Sequence, residues 1–112
     1  MNLVLENFKK LIEKASENSN FLRIDMESSK NTDNTFEIYN DLFKIYPKVG
    51  IVLQAYLKRS IADIEKLAGP GFNARICKGI YKENKNIAYQ NPKDISKNFL
   101  AMAEIMLAKN SY

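Results

Sequence analysis

Hydrophobic positions along the chain switch between the three-to-four-residue spacing of helices and the alternating or continuous patterns of strands. Helical spacing predicts helices over residues 3–17, 33–46, 60–67 and 93–109. Strand patterns lie between them, over residues 21–27, 49–56 and 73–81. The predicted order of elements is therefore αβαβαβα.

Capping residues support the predicted helix starts. Asn31 or Thr32 can cap the second helix through a side-chain oxygen. Ser60, with Asp63 three residues later, resembles a capping box at the third helix. The Asn91–Pro92 pair is typical of a helix start, because proline is tolerated in the first turn.

The middle strand and the second helix predict the core. Residues 49–56 are almost continuously apolar, a pattern typical of parallel strands that are buried on both faces. An aromatic stripe on the second helix is interpreted as core packing rather than as a ligand site. Its members are Phe36, Tyr39, Phe43 and Tyr46.

Strands that alternate with helices predict parallel pairing through right-handed crossovers. Two architectures fit this order: a doubly wound open sheet and a (β/α)8 barrel. A whole barrel needs about 250 residues, whereas this chain has 112 residues. The expected fold is therefore α/β with three parallel strands, either a small open sheet or part of a barrel.

Composition removes several classes of function. The chain has no histidine and a single cysteine, which excludes Ser-His and Cys-His nucleophile pairs, internal disulfides and multi-cysteine zinc sites. The net charge of +4 comes from scattered lysines, so no nucleic-acid partner is expected. No apolar run approaches the roughly 18 residues of a membrane span. The charged N-terminus resembles neither a signal peptide nor a mitochondrial presequence.

Unusual polar residues gather toward the carboxyl ends of the predicted strands, where parallel α/β folds build their sites. They are Asp25 and Glu27 on the first strand, Gln54 and Tyr56 on the second, and Arg75, Lys78, Gly79 and Tyr81 on the third. The chain uses lysine almost everywhere, yet its three arginines, Arg23, Arg59 and Arg75, all lie in or just after strands. We interpret this placement as support for a site that needs planar donors.

Segment 73–83 leaves two interpretations open when it is taken alone. Its cations and Gly79 indicate either a strand end whose charges reach water or a place where a ligand or another backbone approaches closely. The Asp25–Glu27 pair is weak evidence for metal binding or acid-base work, because acids two positions apart are common on strands, and no metal site is predicted. No glycine-rich phosphate loop is present. The remaining amide, guanidinium and ammonium donors suit a cofactor that gains negative charge on reduction, as a flavin does.

Three segments, in this order, resemble consecutive strand motifs of the FAD-dependent proline dehydrogenase family. They are Arg23-Ile-Asp-Met-Glu-Ser28, Gly50-Ile-Val-Leu-Gln-Ala-Tyr-Leu-Lys-Arg59 and Arg75-Ile-Cys-Lys-Gly-Ile-Tyr-Lys-Glu83. The likeness extends over nearly the whole chain and is weakest before Phe21. It implies a partial (β/α)8 barrel that supplies roughly strands four to six, with the flavin at the carboxyl ends of the strands.

The resemblance assigns catalytic roles to Asp25, in the active site, and to Arg75, beside the reactive flavin nitrogen. It places Tyr81 at the border of the proline pocket. Residues implied to bind FAD are Met26, Gln54, Lys78, Gly79 and Ile80. The family often has Val or Ala where this chain has Cys77 and Ile80.

The family also implies oxidation of L-proline to pyrroline-5-carboxylate, a quinone-type electron acceptor, and a cytoplasmic protein that could be peripheral at the inner membrane. Three family segments are missing: an active-site lysine strand, a later Thr-His-Asp-type FAD segment and a paired-arginine helix. We therefore expect a fragment with little or no catalysis alone. The alternative is a non-catalytic α/β remnant or interaction module that pairs its open sheet edges with itself or another chain. A different flavin-dependent barrel enzyme is a third option.

Overall fold

The computed structural model describes residues 2–112. In it, helices and strands alternate, as the sequence predicts. The elements are α1 (Asn2–Glu17), β1 (Leu22–Ile24), a 3-10 turn (Ser29–Asn31), α2 (Thr32–Ile45), β2 (Val49–Gln54), α3 (Ser60–Leu67), β3 (Ala74–Cys77) and α4 (Pro92–Ala108). The predicted αβαβαβα order is confirmed.

The strands are parallel and lie side by side in the order in which they occur along the chain. Leu22 of β1 lies opposite Val49 of β2, and Ile51 of β2 lies opposite Ala74 of β3. Successive right-handed crossovers that move in one direction place their helices on the same face of the sheet. A doubly wound sheet needs a reversal of strand order. The topology is therefore that of a (β/α)8 barrel segment.

The core lies between this sheet and the helices. Buried residues of all four helices, of alternate positions along β1 and β2, and of the segments next to β2 and β3 form one cluster: Ile12, Ile24, Ile38, Tyr39, Leu42, Val49, Ile51, Leu53, Ala55, Ile64, Phe72, Met102 and Met106. Every residue of β2 is buried, as its apolar run predicts. The aromatic stripe of α2 packs on this cluster and is core, as expected.

The outer strands are shorter than the sequence predicts. Pairing of β1 with β2 ends at Ile24, so Asp25–Glu27 lie beyond the strand, although Met26 remains buried. The third strand ends at Cys77 instead of continuing to Tyr81. Gly79 has a φ of +113°, and this backbone conformation turns the chain out of an extended path.

Two of the predicted helix caps are wrong. Ser60 is the first residue of α3, and its Oγ donates to the carbonyl of Gln54 at 2.6 Å instead of capping the helix. No side-chain cap is formed by Asn31, the N-cap residue of α2, and Oγ1 of Thr32, the other predicted cap, has no hydrogen-bond partner within the described residues. The prediction for α4 is confirmed, because Asn91 Oδ1 accepts a hydrogen bond from the Lys93 amide at 2.9 Å.

None of the helices within residues 2–112 combines the length and the apolar character needed to cross a membrane.

Tyr39 of α2 is a titratable side chain buried in the core. Its side chain is 3% exposed and meets the Phe72 ring edge-on at 5.8 Å. Burial, with a smaller contribution from Tyr112, raises the pKa of Tyr39 from 10.0 to about 12. The unfolded chain therefore loses this proton at lower pH than the folded chain, and ionisation favours unfolding.

We expect the free energy of unfolding to fall as pH rises from about 10 to about 12, through the interval between the unfolded and folded pKa values. Urea titrations at a series of pH values measure this loss. Tyr39→Phe removes the ionisable group and is expected to make the decline shallower. An equally steep decline in that variant would contradict the assignment to Tyr39.

Candidate functional site

The sheet face that points away from the helices carries the unusual polar residues. Arg75 lies opposite Val52, and Cys77 lies opposite Gln54 in the β2–β3 register. Because successive side chains of a strand point to opposite faces, these four residues share one face. Asp25 joins them from the end of β1, where its carboxylate reaches Arg75.

This face forms the floor of a cleft of about 420 Å³, a volume within the usual range for small-molecule sites. Its lining residues are Asp25, Met26, Glu27, Val52, Gln54, Arg75, Cys77, Lys78, Gly79, Ile80 and Tyr81. All eight residues that the family resemblance assigned to the site are among them. The structure thus brings residues of three strand ends into one cavity.

Arg75 and Asp25 form an ion pair at the cleft, with Arg75 Nη2 2.7 Å from Asp25 Oδ1. Their side chains are 60% and 73% exposed, and an ion pair this open to water contributes little to stability. Asp25 is the only hydrogen-bond partner of the Arg75 guanidinium within residues 2–112. Further N–H donors of Arg75 therefore remain available to a ligand.

Gln54 holds an unpartnered acceptor at the end of β2. Its side chain is 3% exposed, and its Oε1 has no hydrogen-bond partner within the described part of the chain. Its backbone is fixed separately, because the Gln54 carbonyl accepts from Ser60 Oγ. A buried amide oxygen without a partner is costly, so it points to a ligand that donates a hydrogen bond.

A turn over Lys78–Tyr81 forms one side of the cleft. A Cβ at Gly79 would lie 2.2 Å from Cδ1 of Tyr56, so a side-chain ring approaches this glycine, rather than the ligand or backbone expected from the sequence. Ile80 is 90% exposed and Tyr81 is also exposed. The ring of Tyr56 therefore shapes the turn that presents Lys78, Ile80 and Tyr81.

A hydrogen-bonded clasp joins the loops that follow β1 and β3. Glu83 accepts from the Ser29 amide at its Oε1 and from Ser29 Oγ at its Oε2, each at 2.9 Å. The clasp spans the end of β2, next to the buried Tyr56, whose pKa is raised by burial and by the nearby Glu83. It connects the segment of Asp25 with the segment of Tyr81.

Removing the clasp is expected to destabilise the chain. Hydrogen bonds to a charged group contribute more than neutral ones, so Glu83→Ala should lower the free energy of unfolding by about 1–3 kcal/mol. Urea titration at neutral pH measures the change. Glu104→Ala removes an exposed carboxylate from α4 and serves as the matched control. Equal stability of the two variants would show that the clasp contributes nothing.

The other two arginines do not lie in the cleft, contrary to the interpretation that all three serve one site. Arg23 Nη1 donates to the Ile51 carbonyl at 2.9 Å, and its guanidinium covers the Phe21 ring at 4.8 Å. Burial, reinforced by the neighbouring charge of Arg75, lowers the pKa of Arg23. Its hydrogen bond therefore connects β1 with β2.

Arg59 connects two helix starts. Its Nε lies 2.7 Å from Asp63 of α3, and its Nη2 lies 2.6 Å from Asp33 of α2. These two carboxylates raise the pKa of Arg59. The side chain thus fixes the relative positions of α2 and α3 and leaves the cleft to Arg75.

Val52 and Cys77 also line the cleft, although the sequence analysis assigned neither of them a role; Glu27, which it placed with the polar residues at the strand ends, lines the cleft as well. The signal for two of them was present, because Val52 is two positions before Gln54 and Cys77 is two positions after Arg75. Strand alternation places such residues on the same face. Val52 belongs to the apolar run that predicts a buried strand, so its pattern alone indicates core rather than a site.

Comparison with known proteins gives a consistent result. The family model described as proline dehydrogenase matches residues 2–112. Proline dehydrogenase 2 of Bacillus subtilis (strain 168) is 34% identical over all of this chain and 37% of its own length. Proline dehydrogenase of Deinococcus radiodurans is 34% identical over 98% of this chain and 36% of its own length. The chain thus spans little more than a third of these relatives.

The fold matches a solved structure, proline utilization A (PutA) from Bdellovibrio bacteriovorus inactivated by N-propargylglycine. The TM-score is 0.87 at 22% identity, over 97% of this chain and 14% of that one. This likeness shows that the three-stranded α/β unit has the fold of a segment of a larger, barrel-like domain. From the family match over nearly its whole length, the chain is a member of the proline dehydrogenase family.

Proposed function

We propose that this chain supplies part of an FAD-dependent active site that oxidises L-proline to pyrroline-5-carboxylate. The observation that carries the proposal is the convergence of Asp25, Gln54 and Arg75 in one cleft at the carboxyl ends of parallel strands. The family match over residues 2–112 supports the reaction class. The catalytic residues of the proposal are Asp25 and Arg75, and Tyr81 borders the substrate.

The residues of the cleft fit a flavin. The unpartnered Oε1 of Gln54 can accept from an imide N–H, and the free guanidinium donors of Arg75 can face carbonyl or nitrogen acceptors. Lys78 adds a second cation to the same wall. The residues that would hold FAD are Met26, Gln54, Lys78, Gly79 and Ile80.

FAD supplies the two-electron acceptor for the hydride that proline loses as its C–N bond becomes C=N. The residues of this chain orient the reactants and supply charge. Arg75 contributes a fixed positive charge, and Asp25 holds its guanidinium in place through the 2.7 Å ion pair. Gln54, anchored by Ser60 at the end of β2, fixes one edge of the site.

On its own the chain is expected to show little or no catalysis. The cleft has one wall, and the exposure of Arg75, Asp25 and Ile80 means that water reaches the proposed reaction centre. Hydride transfer needs orientation and exclusion of water, which a half-open cleft does not provide. The missing walls have to come from further barrel segments or from a complementing chain at the sheet edges.

The electron acceptor is proposed to be of the quinone type, as the family resemblance implies. A quinone dissolved in a membrane would require a cytoplasmic protein to meet the inner membrane from its surface. The helices of residues 2–112 provide no span, which is compatible with such a peripheral arrangement.

Titration of the purified chain with FAD tests the first part of the proposal. Saturable quenching of flavin fluorescence is expected, together with a change in the flavin absorbance bands. An independent measurement, circular dichroism, shows whether the chain is folded. A folded chain that leaves flavin fluorescence unchanged at high micromolar FAD would contradict a preformed half-site and would favour the non-catalytic interaction module.

A chimera tests the reaction itself. This chain replaces the matching 37% of Bacillus subtilis proline dehydrogenase 2, so that the relative supplies the other barrel strands. Proline-dependent reduction of a quinone analogue is expected in the chimera, with pyrroline-5-carboxylate detected by its adduct with an aromatic amine. A folded, flavin-loaded chimera that does not oxidise proline would contradict the proposed reaction.

A further inference from the structure

Cys77 places a thiol inside the proposed cofactor cleft. It is the single cysteine of the chain and lies opposite Gln54 in the β2–β3 register. The side chain is half-buried, lines the cleft and makes one long contact, from Sγ to the Leu53 carbonyl at 3.5 Å. A reagent that enters the cleft can therefore reach the sulfur.

A second, independent observation points to a ligand at this part of the cleft. The neighbouring Gln54 is 97% buried, since only 3% of it is exposed, and its unpartnered Oε1 belongs to a residue that lines the same cavity. The Cys77 thiol and the Gln54 amide thus line the same surface of the cleft. Any group attached to Cys77 would occupy space that a ligand of Gln54 needs.

We propose that Cys77 is a reversible covalent modification site at which a small disulfide, such as oxidised glutathione, blocks the cleft against FAD, and that bound FAD in turn shields the thiol. The inference rests on the proposed function, because FAD is the ligand with which the modification competes. A tripeptide attached by a disulfide is comparable in bulk with the cleft of about 420 Å³.

The small disulfide is itself the oxidant of Cys77, so the exchange needs no other. The Cys77 thiolate attacks one sulfur of the small disulfide, whose S–S bond breaks as the new S–S bond to Cys77 forms. The second half leaves as a thiolate and takes up the proton that Cys77 lost. Cys77 is oxidised, one glutathione is reduced, and a dithiol reverses the exchange.

Two charged neighbours influence this reactivity. Burial raises the pKa of Cys77, Arg75 opposes this effect, and Asp25 adds to it. Since the thiolate is the nucleophile, the exchange is slow at neutral pH and accelerates as pH rises. The cleft cation Arg75 is therefore expected to promote modification as well as to face the flavin.

The experiment treats the 112-residue chain with oxidised glutathione at mildly alkaline pH and removes the excess reagent. Intact mass measures the mixed disulfide, and flavin fluorescence measures FAD binding before treatment, after treatment and after reduction with dithiothreitol. Cys77→Ala is taken through the same steps. A second series follows the rate of alkylation by iodoacetamide with and without FAD.

We expect the mixed disulfide to weaken FAD binding by about tenfold or more, which means that the dissociation constant rises by at least this factor. Dithiothreitol should restore binding, and treatment should change nothing in Cys77→Ala. Saturating FAD should slow alkylation of the unmodified chain by about tenfold or more, because it removes access to the thiol.

Three results would overturn the inference. The first is undiminished FAD binding by the mixed disulfide, which leaves the proposed function intact. The second is a loss of binding that treatment also causes in Cys77→Ala. The third is the absence of FAD binding by the untreated chain, in which case the proposed function itself fails and the inference fails with it.

Discussion

Arg75→Ala is expected to weaken FAD binding by about 10- to 100-fold, the loss that corresponds to removing a charge-assisted hydrogen bond. The same substitution should change the free energy of unfolding by less than about 0.5 kcal/mol, because the Arg75–Asp25 pair is largely exposed. The two measurements together separate a ligand-binding role from a structural one.

In the chimera, the expected loss in proline oxidation is larger than the loss in binding. Removing a preorganised donor from the reaction centre typically lowers turnover by about 10²- to 10³-fold. Arg75→Lys keeps the charge but loses the planar fork, so it should recover only part of the activity. Proline-dependent dye reduction under saturating FAD provides the measurement.

Lys44→Ala is the matched control for Arg75→Ala. It also removes one positive charge, from an exposed position on α2 whose nearest ion-pair partner, Asp41, is 3.9 Å away. It should leave both FAD binding and oxidation unchanged. A similar decrease in both variants would indicate a general effect of net charge, and unfolding of Arg75→Ala would indicate that the arginine is structural.

Gly79→Ala is expected to destabilise the chain by about 2–5 kcal/mol, through backbone strain combined with overpacking. Gly79 has a φ of +113°, a backbone conformation that residues other than glycine rarely adopt. The new Cβ would also lie 2.2 Å from the Tyr56 ring. To relieve this contact, the Lys78–Tyr81 turn or the ring has to move. FAD binding should therefore be lost together with stability.

Gly69→Ala provides a matched control, because a Cβ at Gly69 meets nothing within 4 Å. Urea titrations of both variants measure the difference. In a Tyr56→Ala background, the additional cost of Gly79→Ala should shrink to the backbone strain alone, since the ring is gone. Equal effects at Gly69 and Gly79, or an unchanged cost in that background, would contradict the proposed contact.

The fold was largely predictable because periodicity reports which faces of each element are apolar. The continuous run of β2 is buried throughout, as expected. Strand ends were less predictable, since Met26 continues the alternation of β1 after its pairing has ended. The Ser60 hydroxyl was expected to cap α3 but donates to the Gln54 carbonyl instead. Sequence cannot distinguish these two roles, because the second depends on where the Gln54 carbonyl lies in space.

The sequence predicted most of the residues that line the cleft, but not the contacts between them. Parallel strands bring their carboxyl ends to one edge, so Asp25, Gln54 and Arg75 could be grouped without coordinates. The clasp between Ser29 and Glu83 joins residues 54 positions apart and has no local signal. The separate roles of Arg23 and Arg75 likewise depend on tertiary contacts that residue type does not reveal.

Strand order has a consequence for synthesis. Each strand pairs with the strand made just before it, so a chain leaving the ribosome can dock every new unit on a completed neighbour. At the growing edge, the Ala74 amide donates to the Tyr112 carbonyl and the Tyr112 amide donates to the Phe72 carbonyl, each at 3.0 Å. Tyr112, which follows α4, thus lies beside β3, and the strands described here are arranged so that each can join the same edge of the sheet in chain order.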